Sequence, residues 1–146
     1  MDSIEFALEP CEYRNFGKTL AVIPIISGAP LTEVVRKLFG NMLGQHAGVQ
    51  TGIRAEEISN FGPGYFLGLS KHRLWRKKST IGVLACGCGL TECWTLETPL
   101  VVSEVTVDWP SFTQPDRPRL DYGDLGTFSF EYQQYAAAVK DLEERL

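Results

Sequence analysis

The spacing of apolar residues changes along this chain, and that change most restricts what it can fold into. Ile4, Phe6 and Leu8 alternate with polar or small residues, the two-residue period of a half-buried strand, which Pro10 is expected to end. Residues 19–26 are apolar on both faces apart from Pro24, which predicts a second strand near an edge or carrying a bulge. Tyr13-Arg14-Asn15-Phe16-Gly17 has turn chemistry between the two, so together they predict a hairpin. From Leu31 the period lengthens. Leu31, Val34, Val35, Leu38, Phe39 and Met42 recur at helical spacing and leave Glu33, Arg36 and Lys37 on the wet face. Pro30 suits the first turn of that helix and Gly44 its stop.

Strand patterns then return. After a weakly patterned region, Phe61-Gly62-Pro63-Gly64-Tyr65 reads as a turn leading into a short strand at 65–69. Further strands are predicted at 80–85, 93–102 and 105–109, with Ser103-Glu104 as a tight turn that lacks the favoured glycine. A loop rich in proline (Pro110, Pro115, Pro118) covers 110–124, and a last short strand is expected at 127–130. A closing helix over 131–146 carries Tyr132, Tyr135, Ala136, Val139, Leu142 and Leu146 on its apolar stripe, with Glu131 favourable at its start. Strand, strand, helix, several strands, helix, without regular alternation, predicts an α+β fold: a mostly antiparallel sheet with about two helices packed on one face. A length of 146 residues, 44% hydrophobic and 22% charged, implies one globular domain over 1–146 whose core needs no covalent staples.

The chemistry is concentrated at Ala85-Cys86-Gly87-Cys88-Gly89-Leu90-Thr91-Glu92-Cys93-Trp94, which holds three of the four cysteines. On the predicted strands this is a connection: Cys86 and Cys88 end the incoming strand and Cys93 begins the outgoing one. Four readings are open. Zinc could be bound by Cys86, Cys88 and Cys93, with His72 as a possible fourth ligand and His46, Cys11 or water as others. Cys-x-Cys is not the usual Cys-x2-Cys knuckle, and extended residues two apart lie roughly 6.5–7 Å from each other, so Gly87 and Gly89 would have to curl the chain. Cys88 and Cys93 could form a cross-strand disulfide, whereas Cys86 and Cys88 are poor partners. A nucleophilic cysteine would need a base or positive field that sequence does not place beside it. The fourth reading is structural, with the thiols as compact buried side chains at a tight connection.

Acidic residues at Asp2, Glu5 and Glu9 and the lack of a long apolar run predict a soluble, cytoplasmic chain with no membrane partner, where clustered cysteines favour metal or redox chemistry over structural disulfides. Net charge is −4, yet Lys71, Arg73, Arg76, Lys77 and Lys78 gather within eight residues around His72 and Trp75. Such a run could neutralise phosphates while Trp75 stacks on a base, but the acidic remainder favours a solvated loop over nucleic-acid binding. The paired glycines 62/64 and 87/89 lack the following lysine or helix of a phosphate loop and read as turn glycines. Asp116, Arg117, Arg119 and Asp121 sit in the long loop, where functional groups often lie.

Cys86, Cys88, Gly89, Cys93 and Trp94, then Trp109, Phe112, Gln114 and Pro115, then Tyr122, Leu125, Gly126, Phe128 and Phe130, form a pattern over residues 80–146. It resembles an uncharacterised family of small bacterial proteins marked by Cys-x-Cys-Gly, Cys-Trp, Trp-x-x-Phe-x-Gln-Pro and Leu-Gly-x-Phe-x-Phe. The family has no established activity, so the resemblance implies a shared fold and little else. The glycine or proline that often flanks Cys-Trp there is replaced by Glu92 and Thr95. The expectation for function is a non-enzymatic protein acting through a protein partner, in an immunity-type or similar interaction role. A metal- or thiol-dependent protein is the rival.

Overall fold

In the computed structural model, which describes residues 1–43, 50–90 and 94–146, the opening hairpin is longer than its alternation suggests. Strand β1 (Ile4–Tyr13) pairs antiparallel with β2 (Gly17–Ile26), in register from Ile4 opposite Ile26 to Tyr13 opposite Gly17. Pro10 does not end β1, and backbone parity explains why. The carbonyl of Phe6 points away from β2, where Arg145 Nη2 donates to it at 2.6 Å, and Gln134 bonds both backbone groups of Ile4 on the same side. Pro10 shares that parity, so its missing N–H lies on the outer edge and costs no ladder bond. Those contacts also cover an edge that would otherwise invite strand pairing.

Pro24 is explained differently. Strand β2 is an inner strand whose far side is met by β5 (Ile53–Arg54) at Ala21–Val22 and by β3 (Ala29–Pro30) at Ile25–Ile26. Pro24 falls in the gap between them. Ser27 and Gly28, at φ 50° and 84°, make the two-residue β2–β3 turn, for which positive φ matches the strand twist. Helix α1 (Leu31–Leu43) follows. Pro30 ends β3 rather than entering the helix, and the buried stripe is narrower than the spacing implies: Leu31, Val35 and Phe39 are buried but Leu38 is 46% exposed.

Two short strands, β4 (Gln50–Thr51) and β5, flank Gly52, which lies against the Val22 carbonyl with no room for a Cβ. Helix α2 (Ala55–Phe61) comes next and carries no strong periodic signal. The strand expected at 65–69 is instead a 3₁₀ turn, Tyr65–Leu67, set between Gly64 and Gly68 in left-handed conformations. The glycines reverse the chain at both ends, and Leu67 and Gly68 donate back to Gly64 and Tyr65.

Strand β6 (Thr80–Cys86) is buried along most of its length, between β4 and β7 (Leu96–Pro99). The long strand expected at 93–102 is divided. Strand β7 stops at Pro99, Leu100 N–H donates to Ser79 O, and β8 (Val101–Val102) pairs instead with β9 (Thr106–Trp109). Ser103 closes on Thr106, which puts Glu104-Val105 at the tip of this hairpin, one residue later than expected. Strand β10 (Phe128–Glu131) flanks β9, and α3 (Tyr132–Arg145) closes the chain.

The α+β architecture with antiparallel pairing is as expected; among the described residues it is built from three small sheets and three α-helices, where one sheet and about two helices were expected. A continuous apolar cluster joins them, running from Ile4 and Phe6 through Phe61, Tyr65 and Trp75 to Trp109, Phe130 and Tyr135. Burial raises the hydroxyl pKa of Tyr65, Tyr135, Tyr13 and Tyr122 above the ordinary tyrosine value. The folded state therefore holds these protons more tightly than the unfolded chain. That stability is complete below about pH 10 and is lost as pH rises through the raised values. In an alkaline titration, phenolate absorbance from these four residues should appear together with loss of the circular dichroism of the fold. Their ionisation while the fold persists would contradict their burial.

Candidate functional site: the cysteine turn and its cleft

The cysteine stretch folds as a tight turn at the end of β6. Gly89 N–H donates to Cys86 O at 3.0 Å with Gly89 at φ 91°, so the chain does curl where the glycines allow it. Cys86 and Cys88 are buried, at 5% and 7% exposure. Each sulfur accepts a long backbone hydrogen bond: Cys88 N–H to Cys86 Sγ at 3.5 Å, and Leu90 N–H to Cys88 Sγ at 3.4 Å.

The tip of the β1–β2 hairpin lies on this turn. Arg14 N–H donates to Gly87 O and Asn15 N–H to Cys88 O, and the Phe16 ring packs so closely on Gly89 that a Cβ there would collide with it. Arg54 joins the pieces from the side. Its guanidinium is 3.5 Å from the Phe16 ring centroid, Nε donates to Gly89 O at 3.2 Å, and Nη2 pairs with Glu57 of α2 at 2.9 Å. The arginine is 6% exposed, so these interactions act in a poorly solvated setting. Exposed Glu56, 3.6 Å away, adds little.

Among the described residues no group of three or more His, Cys, Asp or Glu could hold an ion. His72 Nδ1 accepts the Leu74 N–H at 3.2 Å and its ring meets Phe61 edge-on. Cys93 and His46 lie outside the described residues. Cys11, the other suggested ligand, is on β1 with its Sγ 3.4 Å from Thr51 Oγ1. Thr51 pairs with Ala85 while Gln50 pairs with Cys86, so Cys11 meets the face of the β4–β6 ribbon opposite the one carrying Cys86.

Beside the turn is an open cleft of about 750 Å³, lined in part by Cys11, Tyr13, Arg14, Arg36, Gln50 and Thr51. Tyr13 donates its hydroxyl to Gly52 O at 2.6 Å, and its pKa is raised first by burial and then by the Cys11 thiol. Gln50 Nε2 donates to Trp94 O, and Gln50 Oε1 is buried without a partner among the described residues. The cleft thus offers a half-buried thiol and two exposed cations.

Sequence reasoning missed the parts contributed by Arg54 and the hairpin tip. The turn chemistry of residues 13–17 was legible, but nothing local says that the tip lands on residues 86–89. The basic run is also clarified. Lys71, Arg73, Arg76, Lys77 and Lys78 are exposed, whereas Trp75 is 6% exposed and packs edge-on against Phe61 and Tyr65, so it is not a surface on which a base could stack.

The aromatic residues between Trp109 and Tyr135 form a packing unit. Trp109 meets Phe112, Phe130 and Tyr135 edge-on or nearly so, Phe112 meets Phe128, and Gln114 Nε2 donates to Tyr122 Oη at 2.9 Å. Arg117 stacks its guanidinium 3.8 Å from the Trp94 ring centroid. No family model, curated protein or solved structure matches this chain.

Proposed function

We propose that this chain is a cytoplasmic, non-catalytic protein that acts by binding a protein partner, and that the β8–β9 hairpin is its contact. The observation that carries this reading is the exposure of Val101 at 51%, Val102 at 44% and Val105 at 69% on one short hairpin. Isolated exposed valines are ordinary, but three within five residues, two on the outer strand β8 and one at the hairpin tip, group apolar surface of the kind partners cover. Among the described residues strand β8 pairs with β9 alone, and the Ser103–Thr106 closure gives the backbone groups of Val102 the outward parity. An extended segment with apolar side chains is the complementary partner surface, adding a strand at this edge. The acidic balance outside residues 71–78 suits an immunity-type role, in which the partner is a basic toxin.

Affinity capture from an extract of the native cells tests this, comparing the natural chain with a Val102→Lys/Val105→Glu variant of equal thermal stability. One protein retained in stoichiometric amount by the first and lost by the second is expected. Equal retention by both would remove the hairpin as the contact.

A second reading, a metal or thiol-redox protein using Cys86, Cys88 and Cys93, is favoured by the two described thiols sharing one turn. Zinc bound one per chain, and lost in any one of the single Cys→Ser variants, would replace the partner reading. Nucleic-acid binding retains the exposed cations of residues 71–78 but loses its stacking aromatic.

A further inference from the structure

Cys86, Gly87, Cys88 and Gly89 form one hydrogen-bonded turn, closed by Gly89 N–H on Cys86 O at 3.0 Å. As its first and third residues, Cys86 and Cys88 lie closer together than the roughly 6.5–7 Å of an extended strand. The turn therefore removes the spacing that stands against a shared ion in an extended chain. Both side chains are thiols, and both are buried.

The two sulfurs are held by the same device. Cys88 N–H donates to Cys86 Sγ at 3.5 Å, and Leu90 N–H donates to Cys88 Sγ at 3.4 Å. A hydrogen bond donated to sulfur favours the thiolate over the thiol, and it orients the sulfur as outer groups orient a metal ligand. Packing as a compact apolar side chain requires neither bond. Gly87, between the two cysteines, lines the cleft of about 750 Å³. The cleft thus reaches the turn at a residue that carries no side chain, which supplies an entry path.

The donor set selects the ion. Structural zinc takes four ligands, and among the described residues no group of three or more His, Cys, Asp or Glu could hold an ion. Two thiolates satisfy a soft monovalent cation of low coordination number, and thiolates suit Cu(I). We propose that Cys86 and Cys88 together bind one Cu(I) ion. Each thiol gives up its proton on binding, so one Cu(I) replaces two protons and the bis-thiolate complex carries a single negative charge. Copper stays Cu(I) and nothing is oxidised. The backbone N–H groups of Cys88 and Leu90 stabilise that charge. The inference rests on the thiol reading given above and is independent of the β8–β9 contact.

The test titrates reduced protein, without oxygen, against the coloured Cu(I) complex of bicinchoninate. The natural chain is expected to withdraw one equivalent of Cu(I). Cys86→Ser and Cys88→Ser should each bind at least about a hundredfold more weakly, while Cys11→Ser and Cys93→Ser stay within about threefold of the natural chain. Copper X-ray absorption of the loaded natural chain should show two sulfur ligands and no nitrogen or oxygen, which keeps the proposal falsifiable should a serine variant fold poorly. No withdrawal of Cu(I) by the natural chain overturns it, as does a third ligand at copper or an equal loss in Cys93→Ser. A parallel titration with a zinc indicator separates this failure from that of the thiol reading. Zinc held without Cu(I) uptake leaves that reading standing and removes the copper site, whereas binding of neither metal removes the copper site and the metal form of the reading together.

Discussion

Replacing Trp109 with alanine is expected to cost about 4 kcal/mol of folding stability, the range seen when a large aromatic is removed from a packed core. Trp109 is fully buried on β9 and contacts Phe112, Phe130 and Tyr135. Its indole N–H donates to Tyr135 Oη at 3.2 Å, and that hydroxyl donates onward to Phe66 O at 2.6 Å. A short chain of hydrogen bonds therefore joins β9, α3 and the turn at Tyr65–Leu67 inside the core. Tyr135→Phe removes its middle member while keeping nearly all the packing, and leaves one buried donor and one buried acceptor unbonded. About 2–3 kcal/mol is expected from that alone. Urea unfolding of Trp109→Phe, Tyr135→Phe and the double variant measures the coupling. The double variant should be more stable than the sum of the single losses implies, because the second substitution removes a group the first has already orphaned. Strict additivity would show that the indole and the hydroxyl do not act as one network.

Arg54→Met is expected to cost about 3 kcal/mol, with its first effect at the cysteine turn. The substitution keeps much of the apolar stem but removes the charge facing Glu57, the donor to Gly89 O and the cation over Phe16. The Glu57 side chain is 20% exposed, so solvent recovers part of the loss and the estimate stays at the low end for a buried pair. Arg54→Lys retains one charge but cannot reach Gly89 O and Glu57 together, and should recover about half of the stability. Thiol reactivity reports the local consequence. Buried Cys86 and Cys88 should react slowly with a disulfide reagent in the natural chain, and about a hundredfold faster in Arg54→Met if the turn must open first. A loss of stability with unchanged thiol rates would place the role of Arg54 in α2 rather than at the turn.

Local pattern was a good guide wherever neighbours in sequence decide the structure. The first hairpin, α1, β6, the pairing of residues 101–102 with β9 and the closing helix are each announced by a local apolar run or period, and all are present. Helix α2 was not legible because it is seven residues long and buries only Ile58 and Phe61, too short for a period to show. Residues 65–69 read as a strand because two aromatics and two leucines resemble one. The glycines on either side bend them into a turn instead.

At the cysteine turn the division is sharper. The sequence by itself determined a tight glycine-bearing connection with closely spaced thiols, because φ freedom and residue spacing are local properties. Tertiary structure decided what surrounds that connection: the tip of a hairpin from residues 13–17 and a buried arginine from β5. Those partners are brought in by strand register and by burial summed over the whole core, which no stretch of residues encodes alone.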